Sequence, residues 1–195
     1  MTGYIPSGTS RYDHIYTSEG GGIGHIPTKY RLPKMLKMYD QGNVGCCVSC
    51  AAAEAYYWYT LSNGRVYDID FTYIYSKRSQ PQIDGMTPRE AFAILCREGR
   101  IKAYSRITNF DWLYKAIVAN GPCLIALPVY NYDTEFWQGS PHTYPIGGHA
   151  VAAVGYNKQG LIIKNSWGVD WGGAGFATVP TTDFDCIMEA WTIMR

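Results

Sequence analysis

Apolar positions change character near the middle of the chain. From Cys47 to about Leu61 the sequence is dense in Ala, Tyr and Trp, the mark of a buried helix. Asn63-Gly64 then predicts a turn, Ile69 to Ser76 is apolar and aromatic enough for a strand or a short helix, and Asp84-Gly85 is a second turn. Thr87-Pro88-Arg89-Glu90 opens a helix: Thr87 caps, Pro88 fits the first helical position, and Glu90 completes a capping box. That helix should end at Glu98-Gly99. Asp111 to Asn120 predicts one more short helix, stopped by Gly121-Pro122. Beyond it, Cys123–Val129, Ala150–Val154, Leu161–Ile163 and Gly175–Val179 predict strands separated by Gly-rich turns. A helical first half followed by a β second half is an α+β arrangement with a cleft expected between the halves.

Residues 1–29 form an extension of weak periodicity, with Gly20, Gly21, Gly22 and Gly24 close together. Tyr4, Ile5, Tyr12, Ile15 and Tyr16 give it side chains that need a surface. No internal repeat or low-complexity tract stands out.

Composition narrows the function classes. The chain has 195 residues, enough to bury a core without staples, and 47% of them are apolar. With 17 basic and 16 acidic residues the net charge is +1, so no nucleic-acid partner is expected. No apolar run approaches the roughly 18 residues of a membrane span, so no membrane partner is expected either. The amino terminus lacks the basic start and apolar run of a secretory signal. Six cysteines are present, and Cys46, Cys47 and Cys50 crowd into one stretch, a poor disulfide framework. A cytoplasmic or other reducing compartment is the expectation.

Three segments carry chemistry. Gln41-Gly42-Asn43-Val44-Gly45-Cys46-Cys47 runs straight into the Ala-rich helix. A thiol at a helix amino terminus meets unpaired N–H groups and the positive end of the macrodipole, which favour thiolate and lower its pKa. Cys47-Val48-Ser49-Cys50 also has the C-x-x-C spacing of redox proteins and half zinc sites, but a second such pair is absent. Gly147-Gly148-His149 places an imidazole at a strand entry, as a structural histidine or as the thiol's base. Lys164-Asn165-Ser166-Trp167-Gly168 follows another strand; Asn165 is either a turn residue or the acceptor that fixes the tautomer of His149.

In this order and spacing the segments resemble the papain family of cysteine peptidases. Its nucleophile motif Gln-Gly-x-x-Gly-Ser-Cys is met by Gln41, Gly42, Gly45 and Cys47. Its motif His-Ala-Val-x-x-Val-Gly-Tyr is met from His149 to Tyr156, and Lys-Asn-Ser-Trp-Gly-x-x-Trp-Gly from Lys164 to Gly172. The resemblance implies a two-lobe fold: a helical lobe of about residues 41–103, and an antiparallel, barrel-like β lobe of about 104–195 plus 30–40. It implies Cys47 as nucleophile rather than Cys46, His149 as its ion-pair partner, Asn165 as the group orienting the imidazole, and Gln41 with the Cys47 N–H as oxyanion hole. Trp167 shields Asn165, and Gly85, Ala126, Gly148 and Trp167 contribute to substrate binding. No metal or organic cofactor is needed. Val44 stands where secreted members carry a disulfide cysteine, so the likeness is to disulfide-free prokaryotic or viral-type members.

The implied activity is hydrolysis of a peptide or protein substrate through a thioester. A Cys-His-Asn acyltransferase or peptide ligase and a catalytically silent peptide-binding module are the rival readings. The extension is expected to lie over the cleft and restrain activity.

Overall fold

The computed structural model describes residues 2–17, 25–33 and 37–195, so the glycines expected to loosen the extension lie outside the described residues. Among the described residues four α-helices and seven strands follow one another: β1 (Tyr30–Arg31), α1 (Cys47–Ser62), α2 (Phe71–Ser76), α3 (Pro88–Arg97), β2 (Ala103–Ile107), α4 (Leu113–Asn120), β3 (Cys123–Val129), β4 (Gly147–Tyr156), β5 (Gly160–Lys164), β6 (Phe176–Pro180) and β7 (Glu189–Met194). The strands make one antiparallel sheet in the order β2-β7-β3-β4-β5-β6, with β1 paired to β4.

The ambiguous segment at Ile69–Ser76 resolves as helix because the Asp70 carboxylate caps it, accepting from Thr72 N–H. In α3 the capping box forms only by half. Thr87 Oγ1 accepts from Glu90 N–H at 3.0 Å, but the Glu90 carboxylate turns away to the N–H of Ser79. A 3-10 turn at Phe110–Trp112 leads into α4 where a single helix is expected. The strands β2 and β7, which the sequence pattern misses, pair along the whole of β2, from Ala103–Met194 to Ile107–Ala190.

Strand β4 is the axis of the molecule, buried almost throughout. Its period of two sends Ala150, Ala152 and Val154 into a core shared with α1, and Val151 and Ala153 into a second core shared with α4. Alanines on both partners, Ala51, Ala52 and Ala55 in the helix and Ala126, Ala150 and Ala152 in the sheet, share the first core. Side chains this small let a helix lie close on a sheet, which places the amino terminus of α1 against the start of β4. Behind them Lys164 Nζ and Glu54 form an ion pair at 2.5 Å, both nearly inaccessible, tying β5 to α1. Among the described residues no helix is long and apolar enough to cross a membrane.

Candidate active site

Cys47 is the first residue of α1, His149 lies near the start of β4, and Asn165 follows β5. The topology therefore gathers the three segments at one end of the sheet. Cys47 Sγ accepts the N–H of Ala150, the residue after His149, at 3.5 Å. His149 Nε2 lies 2.6 Å from Asn165 Oδ1. That same Oδ1 accepts the N–H of Ser166 at 2.7 Å, which fixes the amide orientation with oxygen toward the ring. A neutral imidazole must then carry its proton on Nε2 and present Nδ1 as an acceptor. Nδ1 is buried without a hydrogen-bond partner. Trp167 stacks on the imidazole at 4.4 Å between centroids, and Phe136 meets it edge-on at 5.5 Å, so water is kept from the His149–Asn165 contact.

Gln41 is buried beside this group. Its Nε2 donates to Val44 O at 2.7 Å and its Oε1 accepts from Ser166 Oγ at 2.6 Å, so the amide bridges the loop before Cys47 and the segment after Asn165. The Asp84 carboxylate, unforeseen in the sequence, accepts from Gly45 N–H at 2.9 Å and from Tyr75 O–H at 2.7 Å. It holds the Gly85–Met86 turn against the loop that delivers Cys47.

The space in front of the thiol is filled by the chain's own amino-terminal segment. Met86 N–H donates to Gly3 O at 3.0 Å and Ile5 N–H to Met86 O at 3.1 Å, a parallel bridge centred on Tyr4. The backbone that pairs is thus that of Met86, one residue beyond Gly85. Gly85 adopts a φ of +122°, and a Cβ there would lie 2.6 Å from Gly3 O. On the opposite wall Tyr4 N–H donates to Gly148 O at 3.3 Å, and a Cβ on Gly148 would strike the Tyr4 ring at 2.4 Å. The Tyr4 hydroxyl reaches Glu189 at 2.8 Å. Ala126 is buried in β3 opposite Ala150 and Glu189, beneath this pocket. Glu189 also accepts from Trp191 Nε1 at 2.7 Å and from Ser7 N–H at 3.1 Å.

This cover reverses the electrostatic expectation. Burial pushes the Cys47 thiol up to about 11, outweighing the N–H groups of Ala150 and Gly3 that favour thiolate. Burial likewise pushes His149 down to about 3, against the support of Asn165. The helix amino terminus does not lower the thiol here because burial, which disfavours a charged pair, outweighs it. In the covered state thiol and imidazole are both neutral. Cys46 next to it is held below the usual thiol range by a hydrogen bond with Cys50, whereas burial raises Cys50.

The family profile described as papain family cysteine protease matches residues 33–194, and the chain belongs to that family. A cathepsin B-like protein, CP2, of Giardia intestinalis is 39% identical over 187 residues, covering 86% of this chain and 58% of that protein. Papain from Carica papaya is 38% identical over 65 residues, 32% of this chain and 19% of papain's sequence. The chain thus spans less than two thirds of the length of these curated relatives. Xylellain, a cysteine protease from Xylella fastidiosa, shares the fold with a TM-score of 0.83 at 23% identity, covering 99% of this chain and 95% of that one.

Proposed function

We propose that this chain is a cysteine endopeptidase whose nucleophile is Cys47. The observation that carries the reading is the doubly engaged Asn165 Oδ1, which forces the His149 proton to Nε2 and leaves Nδ1, buried without a partner, as the ring's unused acceptor one residue from the Ala150 N–H that meets Cys47 Sγ. Once the cleft is open to water, Cys47 transfers its proton to Nδ1 and attacks the scissile carbonyl. The oxyanion is met by the Cys47 N–H and the Gln41 amide. His149 gives the proton to the departing amine, leaving a thioester; it then takes a proton from water, and hydrolysis restores the thiol. Trp167 and Asn165 position the imidazole.

We further infer that the described extension restrains the enzyme. Gly3 and Tyr4 fill the ground in front of Cys47, and both ionisable partners are neutral beneath them. All six cysteines are free thiols, which supports a disulfide-free type of family member working in a reducing compartment.

The test is peptide hydrolysis by the full chain and by a Gly3→Val form that cannot seat the extension. Turnover that is low in the first, high in the second, and abolished in both by Cys47→Ala supports the reading. Hydrolysis that persists in Cys47→Ala overturns the assignment of the nucleophile.

A further inference from the structure

Beside the Tyr4 pocket, two arginines converge on one carboxylate. Arg89, from α3, donates from Nε and Nη2 to the two oxygens of Asp13, each at 2.7 Å. It also reaches Ser7 O through Nη1 and Gly8 O at 2.8 Å through Nη2. Arg106, from β2, lies 3.6 Å from the same Asp13 oxygen and donates to Gly8 O. All of these acceptors belong to the extension.

The arginines are also held from below, by groups that are not part of the extension. Both guanidinium groups sit over the ring of Trp191, at 5.6 and 5.7 Å from its centroid. Arg106 Nη2 lies 3.9 Å from Glu189, itself anchored by Trp191 Nε1. Departure of the extension therefore leaves two pre-positioned guanidinium groups facing the cleft with their carboxylate removed. One of them has the fork that binds a carboxylate bidentately. Among the described residues Glu189 is then the one carboxylate within ion-pair distance of either arginine, so one positive charge is left to be matched.

We propose that Arg89 and Arg106 form a carboxylate-binding subsite of the open enzyme, selecting peptides with an acidic side chain beyond the residue that enters the Glu189 pocket. Asp13 occupies this subsite in the covered state. The proposal rests on the reading of the extension as a displaceable cover. It makes the extension a mimic of the preferred ligand: an aromatic hydroxyl on Glu189 and a carboxylate on the arginine pair.

The experiment measures the rate of Cys47 alkylation by paired epoxysuccinyl peptides, using the full chain. Each probe carries Tyr next to the warhead and Glu or its neutral isostere Gln at one of the next three positions. Asp13→Ala removes the resident competitor. In that variant one Glu probe should react roughly tenfold faster than its Gln twin, the effect expected of a charge-assisted bidentate contact. Adding Arg89→Ala or Arg106→Ala should bring the ratio back toward one. Those changes also loosen the extension and so raise the rates of both probes; the ratio separates the subsite from the cover. A ratio near one at every position in Asp13→Ala overturns the subsite and leaves the peptidase reading standing. Absence of alkylation by any probe overturns both.

Discussion

Gly3 passes over Gly45 so closely that a Cβ on Gly3 would lie 2.1 Å from the Gly45 carbonyl oxygen. No side chain fits at that crossing, and the obstacle is backbone, which cannot rotate aside. Gly3→Val therefore unseats Thr2–Ile5. The expected outcome is a rise in peptide hydrolysis of about tenfold or more, equivalent to ~1.4 kcal/mol of lost seating. The amides of Met86 and Ile5, which donate within the bridge, should lose hydrogen-exchange protection in parallel.

Thiol reactivity should rise with pH in the covered form and stay nearly flat in the open one. With Cys47 held at about 11 in the covered state, its alkylation by iodoacetamide should climb steadily from pH 7 to pH 10 as thiolate forms. In Gly3→Val the restored thiolate–imidazolium pair should react fast at pH 7 and change little up to pH 9. Identical pH profiles for the two proteins would show that the extension does not govern the thiol.

Asn165→Ala removes the acceptor on His149 Nε2 but leaves the ring stacked on Trp167. The imidazole can then turn or exchange tautomers, and kcat/KM of the opened enzyme should fall about a hundredfold. The loss should fall on kcat more than on KM, because the side chain orients the base and is not placed against substrate. A KM-only effect, read from steady-state kinetics, contradicts the positioning role.

The Asp13 carboxylate is held below the usual range by its hydrogen bonds from Arg89, with Arg106 and the Ser10 N–H adding to the effect. A carboxylate whose pKa is depressed on docking contributes affinity that is fully present above its ordinary value and lost as pH falls through the depressed one. The latch should stay closed from pH 7 down to about pH 4 and weaken only below that. Hydrogen exchange at the Tyr4–Met86 bridge, measured across this range, checks the sign.

Much of this site is legible in the sequence because its chemistry is carried by short local segments. A cysteine opening an Ala-rich run, a histidine behind two glycines and an asparagine ending a strand each declare their backbone setting. The contacts that control them are not local. Glu189 and Arg106 sit in short strands whose charged residues read as surface positions until β2 and β7 are placed side by side. Asp84 reads as a turn residue, and only the fold brings it to Gly45, 39 positions away in sequence. The extension lacks periodicity, and its described residues form no element of their own; they bridge singly to Met86 and Arg106. The sign of the Cys47 shift was beyond local reading for the same reason, since the helix amino terminus is visible in the sequence and the cover is not.

The buried pair of Lys164 and Glu54 gives a prediction independent of activity. Lys164→Met breaks the buried ion pair between α1 and β5, together with the Lys164 contact to Lys37 O, and should destabilise the fold by about 3–5 kcal/mol. Thermal unfolding should shift down by roughly 10 °C. The double change Glu54→Leu/Lys164→Met should recover most of the loss; a double variant as unstable as the single would contradict a simple charge penalty.

Cys47, activated by His149 and covered by the extension, is the proposed nucleophile. Mass-spectrometric mapping of an epoxysuccinyl peptide adduct on the Gly3→Val protein tests it most directly. A single adduct on Cys47 is expected, formed much more slowly in the unaltered chain and lost in His149→Ala. Alkylation that falls instead on the half-exposed Cys96 or Cys186, or that survives His149→Ala at full rate, would contradict it.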